Sequence, residues 1–379
     1  MIDRLVKIFR FAYAMAKRFV LLPFRKKGVW LVCERGTDAR DNGYHMFRFL
    51  RTQHPEINVW YIITRDSADF DKVAQYGNVV IAGTLKHWIL YISAEKILTA
   101  FEPHFCPSTS YAFYKYVKRK NNQKEVFLQH GVIGNDLPLY HRDRSSLDIF
   151  ICGARPEFDF ISSTFGYKNG EVRYTGLARF DALHNIETKR QFLIMPTYRK
   201  WFREMSEKEV VESRYVKLWQ SFINNPNLAR MAHENNVQVV FYPHQLMQQY
   251  VSLFTSPDSC ITIADYRHFD VQPLLKESCM LVTDYSSVHF DFAYMEKPLV
   301  YYQFDEEEVF TKHVRRGYFD YRDTGFGEVV TTEEELLKVV EEYLKNNCSL
   351  KPFYRSRIEG FFPLHDTHNC ERIFNEITR

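Results

Sequence analysis

The sequence predicts an α/β protein of two doubly wound parallel sheets that face a cleft, preceded by an amphipathic helix. The chain of 379 residues is longer than a domain with one hydrophobic core usually is. Short apolar runs alternate with helical or polar stretches in two successive series. The first 27 residues differ in charge from everything that follows. We therefore expect regions 1–27, 28–185 and 186–379, and we allow for a last helix that packs back on the N-terminal domain.

The first region is a basic amphipathic segment. It contains eight Lys and Arg residues against Asp3, a net charge of +7, which leaves about −4 for the rest of the chain. Charges interrupt every possible membrane span, and the small-residue cleavage site of a signal peptide is missing. At about 100° per residue, one side of a helix is apolar. This side carries Leu5, Ile8, Phe9, Ala12, Tyr13, Ala16, Phe19 and Val20.

Such a helix is typical of a segment that lies on an anionic membrane surface, here the cytoplasmic face of the cell membrane. The alternative is a first helix that packs its apolar side on the protein's own core. Seven scattered cysteines without a C-x-x-C pair indicate a cytosolic chain with neither a disulfide framework nor a structural zinc site. No second basic patch interleaved with aromatic residues follows, so we expect no nucleic-acid partner.

Two series of short apolar runs are predicted to be buried parallel strands. Between them, "VRYTGLARFDAL" (172–183) is interpreted as a passage out of the first sheet. "TTEEELLKVVEEYLKN" (331–346) begins with Thr and acidic residues and continues at helical spacing, so we predict a helix there. The predicted strands are 29–34, 59–64, 79–82, 96–100, 125–129 and 148–153 in the first sheet, and 192–197, 237–242, 260–264, 279–284 and 298–302 in the second.

Four polar clusters directly follow predicted strands. Since open α/β sheets bind ligands at the carboxyl ends of their strands, the four together predict one site. They are His130-Gly131, Thr197 to Arg199, Pro243-His244, and Thr283 to Ser287 with Asp284 inside it.

The chemistry of these clusters is coherent. Ser286 and Ser287 precede a helical stretch, where hydroxyls and free backbone N–H groups suit a phosphate; the alternative is that Thr283 or Ser286 merely caps that helix. His130 can act as a general base toward a hydroxyl, or it is a structural histidine.

Further cationic groups suit a diphosphate. His244 and Arg199 would supply positive charge as charge moves onto a leaving group. Arg316, beside Arg315, adds a clamp or is part of a solvated face. No cofactor and no divalent metal are indicated, because "DFD" (69–71) is interpreted as a surface loop and "HDTH" (365–368) lacks a third ligand.

These residues resemble those of the CDP-glycerol glycerophosphotransferase family, the teichoic-acid and capsule polymerases and primases. The resemblance is carried by "TDYSSVHFDFAYMEKPLVYYQFD" (283–305) and "RRGYFDY" (315–321), with "QHG" (129–131), "PTYR" (196–199) and "YPH" (242–244) in the same order. It spans nearly the whole chain after the amphipathic start. "ERGTDARDNGYHMFRFL" (34–50) matches more loosely.

The resemblance implies two Rossmann-like domains of glycosyltransferase-B type in a peripheral membrane enzyme. It implies an N-terminal acceptor domain and a C-terminal donor domain. Such an enzyme moves a polyol phosphate from a CDP-polyol, here CDP-glycerol or CDP-ribitol, to a hydroxyl of a lipid-linked or growing polymer. CMP is released.

By position, the resemblance makes His130 the catalytic base and His244 the second active-site histidine. Thr283, Ser286 and Ser287 match donor-phosphate contacts, and Arg316 matches an arginine before a Gly-Tyr-Phe-Asp element. The chain departs from the family at Val132-Ile133, and "DTHNCER" (366–372) keeps only Asp366 and Arg372 of a C-terminal pattern. These departures leave the implied reaction type unchanged. They mean that the resemblance does not identify the acceptor or the polyol.

Two other functions stay open at the level of sequence. A glycosyltransferase of the same fold would use the same diphosphate contacts on a nucleotide sugar and release a nucleoside diphosphate. A non-catalytic, membrane-attached subunit of a polymer-export assembly would not need His130 and His244. The sequence separates neither glycerol from ribitol nor a primase from a polymerase, and it predicts no oligomeric state.

Overall fold

The structure is a computed structural model that describes residues 2–101 and 104–379. The chain divides into two compact units, each with its own parallel sheet. Unit 1 comprises the chain up to His130, together with Pro138–Ala182 and Asp366–Arg379. Unit 2 comprises Gly131–Leu137 and Leu183–His365.

Unit 1 is built on a seven-stranded sheet in the order β3-β2-β1-β4-β5-β6-β7, with every pair parallel. The β1 strand lies near the middle and reads "VWLVC", buried throughout, as expected for a strand covered on both faces. The strands are β1 Val29–Cys33, β2 Asn58–Ile63, β3 Val79–Ile81, β4 Ala94–Thr99, β5 Lys124–Phe127, β6 Ile149–Cys152 and β7 Val172–Tyr174.

Six α-helices and three short 3-10 helices of the chain up to Ala182 accompany this sheet, and a last helix, Asn369–Thr378, also belongs to unit 1. The six are α1 Ile2–Leu21, α2 Asn42–Gln53, α3 Phe70–Ala74, α4 Leu85–Ser93, α5 Tyr111–Asn121 and α6 Arg155–Thr164. The 3-10 helices are Leu22–Phe24, Pro138–Tyr140 and Ala178–Ala182.

Unit 2 is built on a six-stranded parallel sheet in the order β10-β9-β8-β11-β12-β13. Its core is centred on Trp219, which is fully buried among aromatic rings. The strands are β8 Gln191–Ile194, β9 Gln238–Phe241, β10 Ile261–Ile263, β11 Met280–Thr283, β12 Leu299–Tyr302 and β13 Glu328–Val330.

The helices of the second half complete the element order. Two 3-10 helices, Lys200–Glu204 and Gln245–Leu253, follow the ends of β8 and β9. The α-helices are α7 Glu207–Val211, α8 Arg214–Ile223, α9 Pro226–Glu234, α10 Val271–Glu277, α11 Val288–Tyr294, α12 Glu306–Lys312, α13 Glu333–Lys345, α14 Pro352–Phe361 and α15 Asn369–Thr378.

The α/β prediction with two parallel sheets is confirmed, and two details of it are wrong. Residues Val172–Tyr174 are an edge strand of the first sheet rather than a passage out of it. Glu328–Val330 adds a sixth strand to the second sheet. Neither segment is a continuous apolar run, because Arg173 lies in the middle of the first and Glu328 begins the second. The predicted helix at 331–346 is observed as α13, capped by Thr332 and Glu335.

The α1 helix uses one face for packing and leaves the predicted apolar side uncovered. Ala14 and Leu21 are buried in the core of unit 1, with Phe11 and Met15 packed at its rim. No helix among residues 2–101 and 104–379 is long and apolar enough to cross a membrane. The large apolar side chains exposed on the helix are Leu5, Val6, Ile8, Phe9, Tyr13, Phe19 and Val20.

Candidate active site

His130 follows the carboxyl end of β5 on an unusual backbone. The residue before it, Gln129, has a backbone φ of 61°. This value lies in the left-handed region, which residues other than Gly and Asn seldom adopt. Such a conformation persists where the surroundings dictate it, and it is found most often at functional sites. The turn therefore aims His130 in a direction that a continuing strand would not allow.

A buried hydrogen-bond network built on two side-chain amides holds that turn. Gln129 is buried, and its Nε2 donates to Glu157 Oε1 at 3.1 Å and to the Ile151 carbonyl. The Gln129 carbonyl accepts from Asn42 Nδ2 at 2.8 Å, and Asn42 Oδ1 accepts the Arg179 N–H at 2.9 Å. Four segments distant in the chain thus meet at the residue beside His130.

The start of α2 is itself fixed by a buried carboxylate. Glu34 directly follows β1 and accepts backbone N–H bonds from Arg40, Asp41 and Tyr44 at 2.7–3.1 Å. Burial, and then the charges of neighbouring aspartates, raise the pKa of Glu34 to about 8. Gly43 has to be glycine here, because a Cβ would lie 2.8 Å from Glu34 Cγ. The "ERGTDARDNG" stretch therefore builds the helix start that positions Asn42.

The imidazole of His130 is accessible and stacks on Phe101, with ring centroids 4.7 Å apart. Protein atoms still crowd the ring, and this loss of water is the main reason that the pKa of His130 lies below its ordinary value. The charge of Asp41 raises that pKa, whereas Arg179 and Arg35 lower it. His130 is therefore mostly neutral at pH 7 and able to accept a proton.

In unit 2 the carboxyl edge of the sheet is held by buried ions. The Arg199 guanidinium is fully buried, with Nη1 2.9 Å from Asp284 Oδ2 and Nε 2.7 Å from Asp305 Oδ2. Asp284 Oδ1 also accepts the Thr197 N–H at 2.8 Å. Burial disfavours the charged guanidinium, but the two carboxylates outweigh it and raise the pKa of Arg199. The "PTYR" and "TDYSS" segments are thereby tied together.

Three of the predicted contact residues are buried in this arrangement. Arg199 and Asp284 are buried and ion-paired, so as placed neither meets a diphosphate directly. Thr283 is also buried, and its hydroxyl donates to the Met195 carbonyl at 2.7 Å. The side chains of Arg199, Asp284 and Thr283 therefore support the serine loop from inside the protein and do not line its surface.

Two serines remain at the surface of that loop. Ser287 is exposed and precedes α11 without making a capping hydrogen bond to it, and Ser286 retains a small exposed fraction. The helix-capping alternative for Thr283 or Ser286 is therefore not what is observed. Ser286 and Ser287 are the hydroxyls of this loop that a phosphate could reach.

His244 follows β9 and has a defined proton position. Its Nδ1 accepts the Leu246 N–H at 3.1 Å, so the neutral ring carries its proton on Nε2. The ring stacks on Tyr198, with centroids 6.1 Å apart. Nearby, burial and the charge of Lys200 lower the pKa of His313 to about 4, and the His313 Nδ1 accepts the Lys200 N–H at 3.1 Å. His244 can thus donate a hydrogen bond to developing negative charge.

The segment after His130 packs against the "RRGYFDY" motif within unit 2. Gly134 and Gly317 make this approach possible, because a Cβ on Gly317 would lie 2.4 Å from the Gly134 carbonyl oxygen. Asp136 donates its N–H to the Arg315 carbonyl at 3.1 Å. Gly131, at the start of this segment, is buried. Gly317 of "RRGYFDY" therefore allows the backbone of that motif to contact the loop that follows His130.

The remaining predicted residues have partners within the protein. Arg316 is exposed, pairs with Glu306 at 2.9 Å and lies over the Phe310 ring. In unit 1, Arg372 donates to Asp366 and to the Thr175 carbonyl, at 2.9 and 2.8 Å. That pair braces the start of α15, and its assignment as a substrate contact stays a prediction.

Much of the recognisable 283–321 stretch is scaffold. His289 is buried, and burial lowers its pKa to about 3. Its ring packs in one aromatic cluster with Phe290, Phe319 and Tyr321. The aromatic side chains of the 283–321 stretch thus pack inside unit 2, while Ser287 and Arg316 are exposed.

Sequence reasoning missed several residues of both edges. Asp305 closes the "YYQFD" stretch directly after β12, and that position was the signal that could have found it. Gln129 lies in "QHG" and Asn42 in the looser match 34–50, but the sequence does not show the hydrogen-bond partners of Gln129, Asn42 or His313, which lie far away in the chain. In the part of the chain that the structure describes, one group of three potential metal ligands occurs, at His233, Asp258 and Cys260. It precedes β10 and lies outside the clusters described above.

Residues 14–379 match the family model described as CDP-Glycerol:Poly(glycerophosphate) glycerophosphotransferase. The chain belongs to this glycerophosphotransferase family. It is 31% identical to the minor teichoic acid biosynthesis protein GgaB of Bacillus subtilis (strain 168) over 366 residues, 93% of this chain and 40% of that protein. It is 22% identical to the teichoic acid poly(glycerol phosphate) polymerase of the same strain, over 98% of this chain and 51% of that protein.

A solved structure of the wall teichoic acid polymerase TagF matches all of this chain and 97% of that chain, with a TM-score of 0.71. Because the identity is 16%, this likeness shows the shared fold alone. The glycerophosphotransferase-family chain spans 40% and 51% of the lengths of the two curated relatives.

Proposed function

We propose that the chain transfers a polyol phosphate, in the first place glycerol phosphate, from a CDP-polyol to a hydroxyl of a lipid-linked or growing cell-surface polymer and releases CMP. Family membership over residues 14–379 supports the reaction class. The observation that carries the proposal is His130, an accessible and mostly neutral imidazole held at the end of β5 by a buried network. It suits a base that removes a proton from an attacking hydroxyl.

In the proposed reaction, the acceptor oxygen attacks the phosphorus that carries the polyol, in line with the bond to CMP. His130 takes the proton of the attacking hydroxyl. The bond from phosphorus to the bridging oxygen breaks, and that oxygen leaves with CMP. His244 donates from Nε2 toward the charge on the phosphate oxygens, and Ser286 and Ser287 contribute hydroxyl donors. Arg199 acts one layer beneath, by keeping the loop in place.

The direct test measures CMP release by the full chain with CDP-glycerol and, separately, CDP-ribitol, each with a lipid-linked acceptor. His130→Ala should lower the turnover by about 10²–10⁴-fold, because a general base contributes that much. His268→Ala is the matched control, since that histidine is exposed and pairs with Asp265 of its own loop. Full activity in folded His130→Ala would contradict the assignment. Release of UDP or CDP from nucleotide sugars alone would identify a glycosyltransferase.

We further propose that α1 binds the anionic cytoplasmic face of the cell membrane. The uncovered apolar side chains of α1 and the eight basic residues of 1–27 support this, because apolar insertion and attraction to anionic lipid act together. Phe9→Glu with Phe19→Glu should abolish co-sedimentation with vesicles containing phosphatidylglycerol. Leu139→Glu, at another exposed apolar residue, should leave it unchanged. Equal binding by both variants would contradict the proposal.

A further inference from the structure

Two thiols of unit 2 lie in direct contact. The Sγ atoms of Cys279 and Cys348 are 3.0 Å apart, although 69 positions separate the residues in the chain. Both side chains are partly exposed at the rim of the unit 2 core. A disulfide bond of about 2.05 Å would need the sulfurs to approach by only about 1 Å.

The fold holds each thiol in place from a different direction. Cys279 directly precedes β11, and its N–H donates to the Gln191 carbonyl at 2.7 Å, so it is fixed to the sheet. Cys348 follows α13 in a turn where it and Asn347 both have φ of 52°. Arg190 Nη1 donates to Asn347 Oδ1 at 3.2 Å and tethers that turn. Two successive left-handed residues are maintained by such surroundings rather than by local preference.

We propose that Cys279 and Cys348 are an oxidation site at which a peroxide forms a reversible disulfide. The Cys279 thiolate attacks a peroxide oxygen, which gives a sulfenic acid and, with one proton, water or an alcohol. The Cys348 thiol then attacks that sulfur and expels hydroxide, which takes the thiol proton as water. The two sulfurs together supply the two electrons that reduce the peroxide.

The two thiols differ in acidity, because their contact raises the pKa of Cys348, and this difference makes Cys279 the first thiol to attack. The contact with Cys348, backbone hydrogen bonds and the charge of Arg190 lower the pKa of Cys279 despite its partial burial. A thiolate that is partly exposed beside a second thiol is the arrangement in which oxidation stops at the disulfide instead of continuing to higher acids. In a reducing compartment a thiol reductant would restore the pair.

The cysteine pair and the serine loop of the proposed transferase site lie at opposite ends of β11. Cys279 lies at the amino end of β11, whereas Thr283 and the serine loop lie at its carboxyl end. Serine in place of either cysteine is therefore expected to leave the activity of the reduced protein unchanged. The disulfide would close a loop that contains the serine loop, Asp305 and Arg316, so oxidation would restrain the proposed donor segment. The inference itself does not depend on the proposed function.

The test treats the reduced full chain with hydrogen peroxide and maps its peptides by mass spectrometry without reduction. The expected product is one cross-linked peptide pair containing Cys279 and Cys348, lighter by two hydrogen atoms and restored by dithiothreitol. Cys348→Ser should instead accumulate a sulfenic acid at Cys279 that dimedone traps. Cys106→Ser is the matched control, because that partly exposed cysteine should not alter the cross-link.

Two results would overturn the proposal. One is a wild-type chain in which Cys279 and Cys348 are oxidised singly or not at all while the protein stays folded. The other is a cross-link that forms equally well between other cysteines of the chain. The wild-type measurement decides between these outcomes even if a serine variant fails to fold.

Discussion

The two sheet edges hold their functional groups by different means. In unit 1, hydrogen bonds of the Asn42 and Gln129 side-chain amides hold the turn that bears His130. In unit 2, the buried ions Arg199, Asp284 and Asp305 hold the loop that bears the serines. Charges also act in unit 1, where Arg179 and Asp41 form an ion pair and shift the pKa of His130 in opposite directions. The two edges therefore differ in what fixes the backbone, which is a pair of side-chain amides in unit 1 and a buried ion cluster in unit 2.

Breaking the ion cluster should produce the largest effect. Arg199→Met leaves two buried carboxylates without their partner, and the free energy of unfolding should fall by about 3–5 kcal/mol. Urea denaturation measures it. Arg316→Met removes an exposed arginine paired with Glu306 and should cost under about 1 kcal/mol. Similar losses in both variants would show that the buried ions do not differ from a surface pair.

Disrupting the contact between Gly134 and Gly317 should have the second largest effect. Gly317→Ala places a Cβ 2.4 Å from a backbone oxygen that cannot move freely, so we expect a loss near the upper end of about 1–3 kcal/mol, with lower turnover because the segment after His130 shifts. Gly360→Ala in α14 meets nothing within 4 Å and should be neutral or stabilising by up to about 1 kcal/mol. A tolerated Gly317→Ala would argue against this packing.

The side-chain amide network of unit 1 should respond more mildly. Gln129→Ala removes the bonds to Glu157 and Ile151 and should cost about 1–3 kcal/mol. Gln129→Gly loses the same bonds but accepts φ of 61° without strain, so it should be about 1 kcal/mol more stable than the alanine variant. Thermal unfolding of the two variants measures that difference. The opposite order would mean that the turn is not left-handed in solution.

The smallest expected effect concerns the charge around His130. A base works when deprotonated, so activity should fall as the pH drops through the pKa of His130, which lies below its ordinary value. Asp41→Asn removes the carboxylate that raises this pKa and leaves Arg179 to lower it further. The acidic limb of kcat/KM should therefore move to lower pH, by less than about one unit. A shift to higher pH would contradict the assignment of His130 as the base.

Much of the fold and part of the site could be predicted from the sequence. Eleven of the thirteen strands follow from apolar runs, because a buried parallel strand needs a continuous apolar segment that is visible locally. His130, His244 and the two serines are found from their positions after such runs. The edge strands β7 and β13 were missed because Arg173 and Glu328 break their apolar runs.

The roles of Arg199, Asp284 and Thr283 could not be assigned in this way. Each follows a strand and has the chemistry of a ligand contact, and sequence proximity does not show which side chains turn inward. Only their partners decide it: Asp305 lies 106 positions from Arg199, and the Met195 carbonyl lies 88 positions from Thr283. The order of strands in the sheet brings these groups together.

The sequence by itself therefore determined the α/β class, the two parallel sheets and the family, since periodicity and motifs are local properties of the chain. Tertiary structure alone decided which polar residues became scaffold and which stayed accessible. It also set Gln129 in a left-handed turn and placed Cys279 against Cys348. These features depend on contacts between residues far apart in the chain, where burial and pairing determine whether a charged or polar group binds a ligand or the protein itself.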